Sequence, residues 1–228
     1  KTESRSGLVV LFLSLMIGAW HYRAHLGRLR PRHLGFAMLG LAILVPVGLY
    51  SMPAGYVERI QSLSILSSGA KSQDPSLGRR ASYIVVGGGM IAENPLLGTG
   101  PGTFPLHYAT TGYAKAFSLT GKTEDLYRRA HNTYLEIFSE LGIPAGLMFV
   151  GMLALGLYNL MRARRAWLLR GDGAQANVMT HLGMSFLSLT LFLMFLSAPN
   201  HKYLWIMLAL TCVLRMKAEE APHKEVRA

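Results

Sequence analysis

Five apolar runs, at about 6–20, 34–52, 144–161, 178–198 and 203–216, punctuate this chain, and polar residues gather between them. They are solid blocks. A helix or strand with one wet face would show a period of 3.6 or 2 instead. Blocks on this scale suit a hydrocarbon core about 30 Å thick. In lipid each must be helical, because every backbone N–H and C=O needs a partner inside its own segment. The expected fold class is therefore all-α: a polytopic membrane protein with about five transmembrane helices. The first and fifth runs are short, and Tyr203 and Trp205 read as anchors at the membrane surface. Pro144 stands at the start of the third run, where its missing N–H costs nothing.

Composition agrees. The chain is 51% hydrophobic and 15% charged, against about 25% charged in soluble domains. The formal net charge of +11 would suggest nucleic acid in a soluble protein, but here the arginines cluster between apolar runs and report topology. The connection between runs one and two carries Arg23, Arg28, Arg30 and Arg32 with no acid. The connection between runs three and four carries Arg162, Arg164, Arg165 and Arg170 against Asp172, and the tail carries Arg215, Lys217, Lys224 and Arg227. If every run spans, all three fall on one side, which the positive-inside rule assigns to the cytoplasm. Residues 53–143 and 198–202 are then external. The expected organisation is two transmembrane helices with a basic cytoplasmic loop (1–52), an external loop with short helices (53–143), three transmembrane helices (144–216) and a basic cytoplasmic tail (217–228). The lone Cys212 lies in an apolar run and excludes a disulfide framework or thiolate metal site. The chain begins at Lys1 rather than Met and is expected to be the C-terminal part of a longer protein.

A loop of some ninety residues (53–143) is too long to be idle. Its stretch 62–75 is rich in Ser and Gly and reads as mobile. Residues 80–93 are apolar enough to form a helix on or dipping into the membrane. Gly87, Gly88 and Gly89 weaken and kink it, and Asn94-Pro95 closes it. Gly98, Gly100 and Gly102 make a tight turn between external helices. The pattern is not a nucleotide loop, since it follows no strand and has no Lys-Ser/Thr after it. From Asn132, an N-cap type, Leu135, Phe138 and Leu141 mark one helical face.

Several residues in this loop, and Arg5 ahead of the first run, are candidates for chemistry. His131 is either the base for an acceptor hydroxyl near neutral pH or a surface histidine at a helix end. Arg5 opens the first run on the external side. It either holds a diphosphate through bidentate hydrogen bonds or snorkels to the interface. Arg79 and Arg80 stand at the mouth of the 80–93 helix, for an anionic substrate or for lipid head groups. His107 is external and uncommitted, and the remaining histidines flank apolar runs. Glu136 and Glu140 share a helix face, read as solvated acids or as a partner for an external arginine. No histidine stands at metal spacing with them, so no metal site is expected.

In order along the chain stand Ser4-Arg5-Ser6-Gly7, Gly78-Arg79-Arg80 opening an amphipathic helix, Pro95-Leu96-Leu97-Gly98-Thr99-Gly100-Pro101-Gly102-Thr103-Phe104, and His131-Asn132 running on to Glu140-Leu141-Gly142. This series resembles the C-terminal half of the O-antigen ligase and polymerase family over nearly the whole chain. The resemblance implies a metal-independent membrane glycosyltransferase of the GT-C kind, with no cofactor. Its site would face the periplasm from a bacterial inner membrane. It further implies His131 as the catalytic residue, and Arg5 with Arg80 as ligands of the donor diphosphate. Counting from Tyr83 favours Arg79 for the second arginine, and counting from Pro95 favours Arg80. The implied donor is a glycan on undecaprenyl diphosphate. The implied acceptor is the lipid A core for a ligase, another glycan for a polymerase, or a protein hydroxyl for an O-oligosaccharyltransferase. A solute transporter is the more distant alternative. It would place polar residues at mid-membrane, and here the apolar runs carry almost none.

Overall fold

The computed structural model describes residues 5–26, 39, 42, 75–118 and 122–220. Most of the expected 34–52 run, the stretch 62–74, Arg28, Arg30, Arg32, Lys224 and Arg227 lie outside the described residues. The chain divides into two compact units, Lys1–Asp74 and Pro75–Ala228. Among the described residues every regular element is helical and none is a strand.

In the first unit, α1 spans Arg5–Leu26. It carries the first apolar run as one uninterrupted helix that reaches past the expected 6–20.

In the second unit, α2 is Pro75–Glu93, α3 Phe104–Ala109 and α4 Gly112–Ala116, and a 3-10 turn follows at Thr123–Leu126. Then come α5 (Thr133–Leu169), α6 (Gly173–Phe192) and α7 (Lys202–Glu220). The long α5 is the hub, packed against α6, α7 and α2. One apolar cluster joins α5 to α6 and α7 through Phe149, Leu153, Phe186 and Leu204. A second joins α2 to α3 through Tyr83, Met90, Phe104 and Tyr108. Among the described residues, one helix is long and apolar enough to cross a membrane, Thr133–Leu169.

Helix ends follow local chemistry. The Asn132 side chain accepts the Leu135 N–H at 3.1 Å and starts α5 as its type predicts. Asp172 does the same for α6 through Gln175 N–H at 3.0 Å. Between α5 and α6, Gly171 turns left-handed (φ 72), the conformation that closes a helix most cheaply with glycine.

Three expectations change. The helix expected over 80–93 begins at Pro75 and is continuous through Gly87, Gly88 and Gly89. At Gly87 it closes on α5, where an added Cβ would stand 2.7 Å from Leu135 Cδ1. The apolar run expected to continue to 198 leaves the helix at Phe192, because the backbone beyond is captured by α5. The glutamates Glu136 and Glu140, read as solvated acids or as a partner for an external arginine, are buried, and Glu136 takes the second role beside Arg129, for the reason given next.

Candidate active site

The glycine turn and the histidine phrase are stitched together. α5 breaks at Gly142 (φ 85, ψ 173). A break frees carbonyls before it and N–H groups after it, and buried backbone groups need partners. The turn at 94–103 supplies them. Thr99 N–H donates to Ser139 O at 3.1 Å and Gly100 N–H to Glu140 O at 2.9 Å, while Ile143 N–H donates to Pro95 O at 2.8 Å. Pro144 falls in the first turn after the break, where its lack of an N–H removes no ladder bond. Glu140 completes the joint. Its Oε2 accepts Gly102 N–H at 2.8 Å and its Oε1 accepts Phe104 N–H at 3.0 Å. A carboxylate therefore satisfies the orphan donors at the start of α3.

Close approach explains two of the glycines. A Cβ on Gly98 (φ 68) would stand 2.3 Å from Glu140 backbone atoms, and one on Gly142 would stand 2.4 Å from Leu96 O. Two backbones touch where no side chain fits.

His131 stands just before the start of α5, at the opposite end of its first stretch (133–141) from Gly142, on an arm held in an unusual shape. Its φ is 50, the left-handed region that histidine tolerates better than bulkier residues. Glu136 holds the arm from inside: its Oε1 accepts Ala130 N–H at 3.2 Å and lies 3.4 Å from Arg129 Nε. One side of His131 is open to solvent. Its ring lies 6.0 Å from the buried Tyr83 ring on α2. Below, the Ser82 hydroxyl joins Tyr108 at 2.9 Å and donates to Arg79 O at 2.7 Å, which ties α2 to α3.

Four arginines act on that imidazole through their charge. Partial burial lowers its pKa below the ordinary 6.5, and the positive charges of Arg80, Arg128, Arg79 and Arg129 lower it further, Arg80 most among them. Each effect disfavours the charged ring, which favours the neutral imidazole at neutral pH. Arg128 is itself placed by Asp125, through Nε to the backbone oxygen at 2.8 Å and Nη2 to Oδ1 at 3.5 Å. Such a site suits an anion beside a hydroxyl that must lose its proton.

Of the residues expected from sequence, Arg79, Arg80 and His131 come together here. Arg5 is the first residue of α1 in the other unit. Sequence reasoning missed Tyr83, Arg128, Arg129 and the role of Glu140, while its reading of a glutamate as partner for an external arginine fits Glu136 beside Arg129. Arg128-Arg129 directly before His131 was the available signal. Glu140 offered none, because its partners lie 36 and 38 residues away. Among the described residues, no three His, Cys, Asp or Glu stand together as metal ligands would.

A family model described as O-antigen ligase matches residues 1–150. Comparison with curated proteins gives no match. The matched stretch carries Arg5, Arg79-Arg80, the glycine turn and the His131 arm, and thus both halves of the joint. Proteins of this family are membrane proteins, and their chemistry is glycosyl transfer of the ligase or polymerase type on glycan and lipid-linked substrates. With well over half of the sequence matched, this chain belongs to the O-antigen ligase family.

Proposed function

We propose that the protein transfers a glycan from undecaprenyl diphosphate to an acceptor hydroxyl at the periplasmic face of the inner membrane, with the lipid A core as acceptor. One observation carries the reading: an uncharged imidazole, His131, stands among arginines that can hold a diphosphate. The acceptor oxygen attacks the anomeric carbon as its proton passes to His131. The bond from that carbon to the diphosphate oxygen breaks, and the departing lipid diphosphate takes the electron pair. Arg80 stabilises the charge that develops there, and the family resemblance gives Arg5 the same role. Arg80 is preferred over Arg79 because its charge acts more strongly on His131. The family's glycosyl transfer supports the reaction class. In this reading the five apolar runs all span, and the polar loop 53–143 faces the periplasm. Metal plays no part, because the arginines take the charge role.

The charge state of His131 sets an expected pH profile. A base works when deprotonated, so transfer rises with pH through a limb at the His131 pKa. That pKa is lowered, so the limb lies below 6.5 and the rate is level at neutral pH. Arg80→Gln moves the limb upward, since a positive neighbour that suppressed protonation is gone. The measurement is kcat/KM against pH, which reports the free protein, for both proteins. A wild-type limb above 6.5 contradicts the assignment of His131 as the base.

Topology is tested by cysteine labelling of intact cells. Cysteines at Ser72 and Lys122 should react with a membrane-impermeant maleimide from the periplasm. Cysteines at Arg30 and Gly171 should react only after the inner membrane is opened. The motive is the arginine bias of the connections. The reverse pattern overturns the orientation and the location of the site.

A further inference from the structure

The family match ends at residue 150, yet the cluster around His131 has a wall from further along the chain. α6 ends at Phe192 and α7 begins at Lys202. The connection between them is pinned to the base of the His131 arm. Thr133, two residues past His131 and fully buried, is the clasp. Its N–H donates to Leu193 O at 2.9 Å. Its hydroxyl donates to Leu196 O and accepts Ala198 N–H at 3.0 Å. Beside it, the Tyr134 hydroxyl donates to Thr190 O at 2.9 Å. Ser197 comes to lie beside the Glu136 carboxylate, although its hydroxyl closes no hydrogen bond there. Between these fixed points the Phe195 ring faces the Arg80 guanidinium, 5.9 Å from its central carbon.

We propose that residues 193–198 form a wall of the donor-diphosphate site, with Phe195 the positioning residue for Arg80. The proposal rests on the reading of Arg80 as a diphosphate ligand. An aromatic face attracts a guanidinium through its quadrupole and consumes none of the in-plane N–H groups that grip phosphate. It also keeps water off one side of the ion, which strengthens the ion's pull on an incoming anion. The Thr133 clasp makes the placement rigid. The same residue fixes the start of α5, and therefore the His131 arm, and the backbone on either side of Phe195. Base and anion holder are thus referenced to one point.

The test measures binding of inorganic diphosphate to the intact protein in nanodiscs by titration calorimetry, without divalent metal. Wild type should bind. Phe195→Leu should weaken binding about tenfold at the strength of a partly desolvated cation–aromatic contact, and Phe195→Tyr should restore it. In an Arg80→Gln background, Phe195→Leu should have no further effect, since coupled residues are not additive. Thermal unfolding checks that Phe195→Leu folds, and Phe195→Met replaces it if it does not. If wild type fails to bind diphosphate, or binds with Arg80→Gln unchanged, the underlying reading of Arg80 fails and takes the proposal with it. If wild type binds and Arg80→Gln weakens binding, two outcomes overturn the proposal alone. One is Phe195→Leu (or Phe195→Met) binding as wild type, and the other is additive losses in the double variant.

Discussion

Replacing His131 with alanine is expected to abolish glycan transfer, a loss of about 10²–10⁴-fold if it serves as the general base. Membrane insertion and abundance should hold. The ring is open to solvent on one side, and it belongs to neither of the apolar clusters that join the helices. The backbone is the complication, since φ is 50 at this position and alanine is less at ease there than histidine. His131→Asn answers it. Asparagine tolerates the left-handed region well and has no basic nitrogen. Both variants should give cells without glycan-capped lipopolysaccharide in a strain lacking its own ligase, read on a gel beside an immunoblot for the protein. Wild-type capping by His131→Asn would sink the base assignment while leaving family membership untouched.

The second large effect is structural. Gly98→Ala and Gly142→Ala should each destabilise the protein by about 3 kcal/mol or more, combining left-handed strain with overpacking against backbone. Each new Cβ would stand within 2.4 Å of backbone in the opposite phrase, and backbone cannot step aside as a flexible side chain can. The turn must then lift from the kink. That strands Ser139 O, Glu140 O and Ile143 N–H without their present partners. Activity should fall with stability, because the turn anchors α3, on which Tyr108 supports Tyr83 beneath His131. Gly88→Ala is the control: nothing stands within 4 Å of its added Cβ, and a helix interior gains up to about 1 kcal/mol from alanine. Thermal unfolding of the three purified variants decides the matter. Equal midpoints for Gly98→Ala and Gly88→Ala would mean that the two phrases do not touch.

Much of the local structure was legible because its causes are local. Asn132 marked the start of α5, and the apolar runs 6–20, 144–161, 178–198 and 203–216 fell on α1, the part of α5 after Gly142, α6 and α7, with ends that miss by up to eight residues. Pro144 marked the restart of α5, and Gly98, Gly100 and Gly102 marked a turn. Where expectation failed, a distant partner had won. Leu193, Met194, Phe195 and Leu196 are apolar enough to continue α6, but Thr133 takes their backbone. Glu136 and Glu140, spaced four apart on one helix face, look like a wet stripe or a partner for an external arginine, and Glu136 does meet Arg129. They are buried because one holds the histidine arm and the other caps the start of α3.

Family, helical class and the chemical types at the site were therefore written in the residues in order along the chain, since pattern, capping and motif spacing are short-range properties. Which groups meet was not. That Arg80, Arg128 and Arg129 converge on His131, that a carboxylate 38 residues away closes the glycine turn, and that Phe195 faces Arg80 depend on α5 breaking at Gly142 and carrying α2 and α6 with it. Such contacts have no signature at any fixed sequence separation. Packing alone brings them together, and the burial and arginine charges that come with it lower the pKa of the imidazole.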